Sequence, residues 1–211
     1  MDKKDPGITE KLREQTRKLH IQAHKLPFFT ALFRGELKID SYIGQLKILS
    51  IIHEALERET ADMENKAVSA VLDGYMPKLP LLSADLEFFA HLNIRDIPPA
   101  SDAARGMADK IRKRKEEKPE SLIAYLYTLE GSTMGGKVIK PHISKTFGLE
   151  EGKGLLFFNS YGENVQENWQ GFLHRMENAV SEEMHGDIIS ASAELFTGLI
   201  HIYKMLHPVA N

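Results

Sequence analysis

The chain has no cysteine, which removes disulfides, thiolate metal sites and iron–sulfur clusters from its chemistry. Any redox role therefore needs electrons from outside or from a bound cofactor. No stretch reaches the ~18 consecutive apolar residues of a membrane span. The first residues, MDKKDPGITEKL, hold no apolar run for a signal peptide, so a cytoplasmic location is expected. Charge of one sign is not in excess. The 27 Lys and Arg set against 30 Asp and Glu leave a net charge of −3, a poor match to nucleic acid or an anionic membrane. Period-2 alternation is scarce, and neither internal repeats nor low-complexity segments occur.

What is present is i, i+3, i+4 apolar periodicity along almost all of the 211 residues. It predicts an all-α, single-domain helical bundle spanning residues 1–211, with 1–8 as a flexible N-terminal tail. Thr9 is placed to cap a first helix running to about Lys25, with Pro27 beyond its end. A second helix is expected from Asp40 to about Lys66, and residues 69–75 extend it or form a short helix. Pro77 and Pro80 break the pattern. Helices are expected again over 83–92 and 101–117, with Ile97-Pro98-Pro99 as a connector. The charged run 110–118 reads as a solvated helix face. A long helix opens at Glu120, is kinked or divided by Pro141, and stops at Phe147-Gly148. Residues 149–160 read as a loop or short turn, and 164–180 and 181–206 as two further helices.

The most informative stretch is Thr128-Leu129-Glu130-Gly131-Ser132-Thr133-Met134-Gly135-Gly136-Lys137. Glycine in a helix interior costs roughly 0.8–1 kcal/mol relative to alanine, so three cost about 2.5–3 kcal/mol. Gly131 and Gly135 are i, i+4 neighbours, as are Ser132 and Gly136, which makes one nearly bare strip. Something broad and flat, or another backbone, must approach it.

On the first helix Leu12, Thr16, Leu19 and Ala23 form an apolar stripe, with His20 at its border. Arg13 and Arg17 share a flank with His20, and His24 follows one turn later. An imidazole beside an apolar face and two guanidiniums suits a ligand needing metal coordination, apolar contact and anion pairing. Haem asks for all three. His53 lies on the apolar side of the second helix and reads as structural. The remaining histidines show no mutual spacing that demands a metal. Phe196, between Leu195 and Leu199, reads as core.

Two motifs about 110 residues apart carry a resemblance. Leu19-His20-Ile21-Gln22-Ala23 resembles the proximal motif of the haem oxygenase family, in which the histidine is the axial iron ligand. Gly131-Ser132-Thr133-Met134-Gly135-Gly136 resembles that family's distal-helix motif. The segment YTLEGSTMGG is most like the bacterial branch, including oxygenases associated with bacterial phytochromes. The resemblance implies haem held between a proximal helix and a glycine-kinked distal helix. It also implies cleavage of haem to biliverdin with release of CO and ferrous iron, haem being both substrate and cofactor.

On that resemblance His20 ligates iron, and Gly131, Ser132, Gly135 and Gly136 form the catalytic distal wall. Arg13, Arg17 and, on a later helix, Arg175 are candidate propionate partners. Phe196 would touch the haem edge, and His24 would support His20. The implied partners are an external electron donor, such as a ferredoxin, flavodoxin or reductase, and a bilin-accepting phytochrome. Vertebrate-type members carry aspartate just after the first distal glycine; this chain has Ser132, a donor and acceptor without charge. His24 stands where other members often have glutamate.

Three other readings are open. A haem or bilin carrier or sensor needs only His20 and the glycine strip. A carboxylate-bridged di-iron site needs Glu-x-x-His twice, and only Glu182-Glu183-Met184-His185 supplies it. An interaction module would use the small-residue strip to let two helices touch.

Overall fold

A computed structural model describes residues 6–207. Among the described residues the chain forms nine α-helices, several 3-10 turns and no strand. They are α1 (Ile8–His24), α2 (Pro27–Arg34), α3 (Ile39–Ala61), α4 (Lys66–Val71), α5 (Leu79–Phe88), α6 (Pro98–Glu117), α7 (Leu122–Phe147), α8 (Val165–Ala179) and α9 (His185–Leu206). None of these helices is long and apolar enough to cross a membrane.

Prolines expected to stop or separate helices instead open them. Pro27 is the first residue of α2, Pro80 lies in the first turn of α5, and Pro98 and Pro99 begin α6. In a first turn the backbone N–H has no intrahelical partner, so its loss costs nothing, and proline's fixed φ is already helical. Residues 27–34 therefore form a helix that was not expected, ended by Gly35 at φ 71°. Pro141 does not divide α7, whose 26 residues run unbroken to Gly148 at φ 64°.

Two N-terminal expectations are also corrected. The tail does not extend to residue 8, because Ile8 is 1% exposed and opens α1; residues 1–5 lie outside the described residues. Gly7, not Thr9, is the N-cap. Thr9 sits inside the first turn, where its backbone N–H donates to the Glu177 carboxylate at 2.9 Å and its hydroxyl donates to the same oxygen. A carboxylate from α8 thus satisfies an orphan donor and complements the helix dipole. Asn65 caps α4, accepting from the Val68 N–H at 3.1 Å, so the helix expected to reach Lys66 ends at Ala61.

α9 forms the axis of the bundle, with α1, α6 and α7 packed on it, and α3 packs against α5 and α6. Buried leucine and isoleucine from α1, α3, α7 and α9 make one continuous core. α1 and α7 lean on α9 without closing the space between them, and that space is a cleft.

Candidate active-site cleft

The cleft encloses about 400 Å³. One wall is α1, contributing Arg13, Thr16, Arg17, His20, Ala23 and His24; the facing wall is α7, contributing Tyr127, Leu129, Gly131, Ser132 and Gly135. Phe196, Ile200 and Tyr203 of α9 form the floor. Gln45 and Leu49 of α3, Phe157 and Phe158, and Trp169 of α8 complete the lining.

Each α1 residue is delivered by helical spacing. Thr16 is buried and returns its hydroxyl to the Leu12 carbonyl at 2.7 Å, which leaves the flank carrying Arg13, Arg17 and His20 exposed to the cleft. The His20 ring lies 4.5 Å from the His24 ring and meets Phe196 edge-on at 6.1 Å. Partial burial, reinforced by His24, lowers the His20 pKa below its ordinary 6.5. At neutral pH His20 is therefore a neutral imidazole with a lone pair free for a metal.

The three glycines of α7 do different work. A Cβ on Gly135 would meet nothing closer than Ile139 Cδ1 at 3.9 Å, so this position opens onto the cleft. A Cβ on Gly131 would lie 3.2 Å from the Trp169 ring, so the bare backbone there seats an indole. A Cβ on Gly136 would lie 2.6 Å from the Phe158 carbonyl oxygen. Gly136 is absent from the cleft; it lets the 3-10 turn Phe157–Asn159 press on the helix, and the expected four-residue strip is divided between two faces. Ser132 is exposed, and its hydroxyl donates to the Leu129 carbonyl at 2.6 Å. With the proton committed to its own helix, the Ser132 oxygen faces a ligand as an acceptor.

Arg175 does not line the cleft. Its Nε donates to the Val71 carbonyl at 3.2 Å. Trp169, six residues earlier on α8, is the residue that reaches the cleft; six residues turn a helix by about 240°, which carries Arg175 to another face. The positive charge at the cleft edge comes from Arg13 and Arg17. Burial raises the Tyr127 pKa, with Arg13 partly offsetting it.

Behind α7 lies a polar cluster that sequence reasoning missed. Lys78 is 1% exposed and Glu130, next to Gly131, 3%. Lys78 Nζ donates to Glu130 Oε2 at 3.0 Å, to the Met76 carbonyl at 2.6 Å and to the Tyr161 hydroxyl at 3.0 Å. It also lies 4.5 Å from the ring centres of Tyr75 and Tyr161. Burial lowers the Lys78 pKa, and Glu130 opposes that shift. Glu57 Oε1 accepts from the Lys78 backbone N–H at 2.6 Å and the Tyr75 hydroxyl at 3.2 Å. His53 sits 3.5 Å from that carboxylate and edge-on to Phe157 at 5.6 Å. A second strap holds the turn that carries Phe157 and Phe158: the buried Asp85 carboxylate accepts from the Leu156 and Phe157 N–H groups at 2.8 and 2.9 Å. Among the described residues no group of three or more His, Asp or Glu side chains is placed to hold a metal ion.

The geometry has counterparts in known proteins. The family model described as Heme oxygenase matches residues 7–204. A Heme oxygenase of Guillardia theta is 29% identical over 154 residues, covering 72% of this chain and 65% of that protein. Heme oxygenase 1 of Gallus gallus is 30% identical over 161 residues, covering 74% and 54%. The matches thus span less than two thirds of these relatives' lengths. The fold superposes on the heme complex of heme oxygenase-1 from the cyanobacterium Synechocystis with TM-score 0.83 at 20% identity, covering 96% of this chain and 93% of that one. It superposes on heme oxygenase from Leptospira interrogans with TM-score 0.84 at 23% identity, covering 94% and 98%. With a family model matched over nearly its whole length, the chain belongs to the haem oxygenase family.

Proposed function

We propose that the protein is a haem oxygenase that cleaves haem to biliverdin, releasing CO and ferrous iron with O2 and electrons from an external donor. The observation that carries this reading is one cleft in which His20 and the open Gly135 position line facing walls. The residues fit the group: a neutral imidazole, a flat aromatic and aliphatic lining, and two guanidiniums at one edge. Haem supplies the oxygen-activating iron and is itself the ring that is opened.

In this reading His20 would hold the iron from α1, its low proton affinity leaving a ring nitrogen free to ligate. Arg13 and Arg17 would pair with the two propionates and so orient the group in the cleft. Phe196, Ile200 and Trp169 exclude bulk water, which strengthens every polar contact inside. Gly135 would leave room on the α7 side of the cleft, Gly131 would seat Trp169 as part of that wall, and Ser132 Oγ would accept a hydrogen bond from water there. Gly136 and Arg175 have no part at the haem. The electron donor is a ferredoxin, flavodoxin or reductase, the setting is cytoplasmic, the unit is one domain of residues 1–211, and the bilin passes to a phytochrome.

One observation favours a second reading, a haem or bilin carrier or sensor: among the described residues no Asp or Glu lines the cleft, so none of them supplies an acidic side chain to give a proton. Titration of the apoprotein with hemin, then addition of an electron donor in air, separates the two. The oxygenase gives a stoichiometric Soret band that decays to the biliverdin spectrum, with iron coordination lost in His20→Ala. A Soret band that only cycles between oxidised and reduced forms means a carrier, and no band at all removes both.

A further inference from the structure

Deep in the cleft, at the end remote from the arginines, two polar side chains stand among apolar ones. Gln45 of α3 is 2% exposed and Tyr203 of α9 is 9% exposed, and both line the cleft. Arg13 and His24 are eleven residues apart on α1, about 16 Å along the axis. The His24 ring stacks on Phe29 at 6.2 Å, and Phe29 lies 5.0 Å from Tyr203. The pair therefore sits at the opposite end from the guanidiniums, with the Phe28 and Phe29 rings each 5.0 Å from Tyr203 and Leu49 and Ile200 in the same cleft lining.

Gln45 Nε2 donates to the Tyr203 hydroxyl at 2.8 Å, while Gln45 Oε1 is buried with no hydrogen-bond partner among the described residues. Among the described residues the Tyr203 hydroxyl only accepts, from Gln45, and its proton has no acceptor. Burial raises the Tyr203 pKa to about 12, with Gln45 partly opposing it, so the proton stays on the hydroxyl. One acceptor and one donor are thus left free side by side. Exchanging the amide's O and N does not alter this: Tyr203 then donates to Gln45, and the free pair becomes an amide N–H and the phenolic oxygen. A buried donor–acceptor pair without a partner is costly and calls for a ligand that supplies the complement.

An intact haem does not supply it. With its carboxylates at Arg13 and Arg17, it would turn a hydrocarbon edge of methyl and vinyl groups toward this end. Opening the ring creates two terminal lactams, each carrying a C=O acceptor beside an N–H donor. We propose that Gln45 and Tyr203 are a product-recognition pair that hydrogen-bonds a terminal lactam of the opened tetrapyrrole. The inference rests on the function proposed above and adds a preference to it: the cleft favours the opened chain over the closed ring at this end. A site built to hydrogen-bond a ligand discriminates strongly against an analogue lacking those groups.

The test uses the full chain without haem and the conservative variants Gln45→Leu, Tyr203→Phe and the double variant. The lone tryptophan, Trp169, lies in the cleft wall, so quenching of its fluorescence reports binding. The probes are hemin and biliverdin opened at the bridge opposite its propionates. The expected result is a rise of about tenfold in the ratio of biliverdin Kd to hemin Kd in the double variant, with each single variant showing part of it. An unchanged ratio overturns the proposal, whether both affinities hold (the pair binds only an ordered water) or both fall together (the pair is only structural). Absence of hemin binding by the unsubstituted chain removes the oxygenase reading separately. Biliverdin binding that still depends on the pair would then leave the recognition site standing.

Discussion

Gly135 and Gly136 are adjacent in sequence, and substitution by alanine should push the protein in opposite directions. In a helix interior alanine is favoured over glycine by roughly 0.8–1 kcal/mol. At Gly135 nothing offsets that gain, because the added Cβ meets only Ile139 Cδ1 at 3.9 Å. A change of this size shifts the melting temperature of a domain of 150–250 residues by about 2–4 °C, so Gly135→Ala should melt that much higher without haem. At Gly136 the added Cβ would stand 2.6 Å from a backbone oxygen, Phe158 O. That oxygen cannot retreat cheaply, since Asp85 anchors the Leu156 and Phe157 N–H groups of the same turn. Overpacking of this kind costs about 1–3 kcal/mol, enough to cancel the gain or reverse it, and Gly136→Ala should melt no higher than the parent. Gly131→Ala belongs between them, because Trp169 at 3.2 Å must yield by a few tenths of an ångström.

Thermal unfolding of the three apoproteins by circular dichroism gives the order, and hemin titration gives its functional counterpart. The stabilised Gly135→Ala should bind hemin more weakly, because its methyl occupies the cleft. A Gly135→Ala variant that melts as low as Gly136→Ala would refute the reasoning: the glycine would then be serving helix packing and not an open face.

The glycine strip also shows where sequence reasoning stops. Helical periodicity is a property of neighbours along the chain, so the all-α bundle, the long distal helix and the alignment of Arg13, Arg17 and His20 were all legible. Whether a proline ends one helix or starts the next depends on which side of it the periodicity resumes. Around Pro27, Pro80 and Pro98 only two or three residues separate the alternatives. Which glycines face a ligand depends on what packs on the other side of α7. Here that is a 3-10 turn held by Asp85, 50 residues away from Gly135 in sequence, and no local pattern announces it. Arg175 was expected at the haem on the family resemblance, yet its helix face is fixed by Trp169, whose place in the cleft only the fold reveals. Gln45 and Lys78 were invisible for a related reason: a polar residue reads as exposed until the fold shows its partner.

The remaining predictions concern the buried groups behind α7. Glu130→Leu leaves the Lys78 ammonium without its carboxylate in a site 1% exposed, and breaking a buried pair in this way costs about 3–5 kcal/mol. Removing both charges with Lys78→Met and Glu130→Leu should recover most of that stability in urea unfolding. A double variant as unstable as the single one would show that the loss comes from packing and not from the stranded charge. His53 gives a pH test. Burial lowers its pKa from 6.5, outweighing the opposing pull of Glu57 and Glu130, while Lys78 acts with burial. In the window between the lowered folded pKa and 6.5, the unfolded chain binds the proton that the folded chain refuses, so stability rises with pH there. The stabilising contribution is complete above 6.5 and is lost as pH falls through the folded value. His20 is shifted in the same direction and adds to the slope, which makes the comparison of variants decisive. Between about pH 7.5 and about 5.5, His53→Leu should lose less stability than the parent chain, and His20→Ala should show its own smaller relief. If His53→Leu keeps the full acid sensitivity, the protonation that unfolds the chain takes place elsewhere.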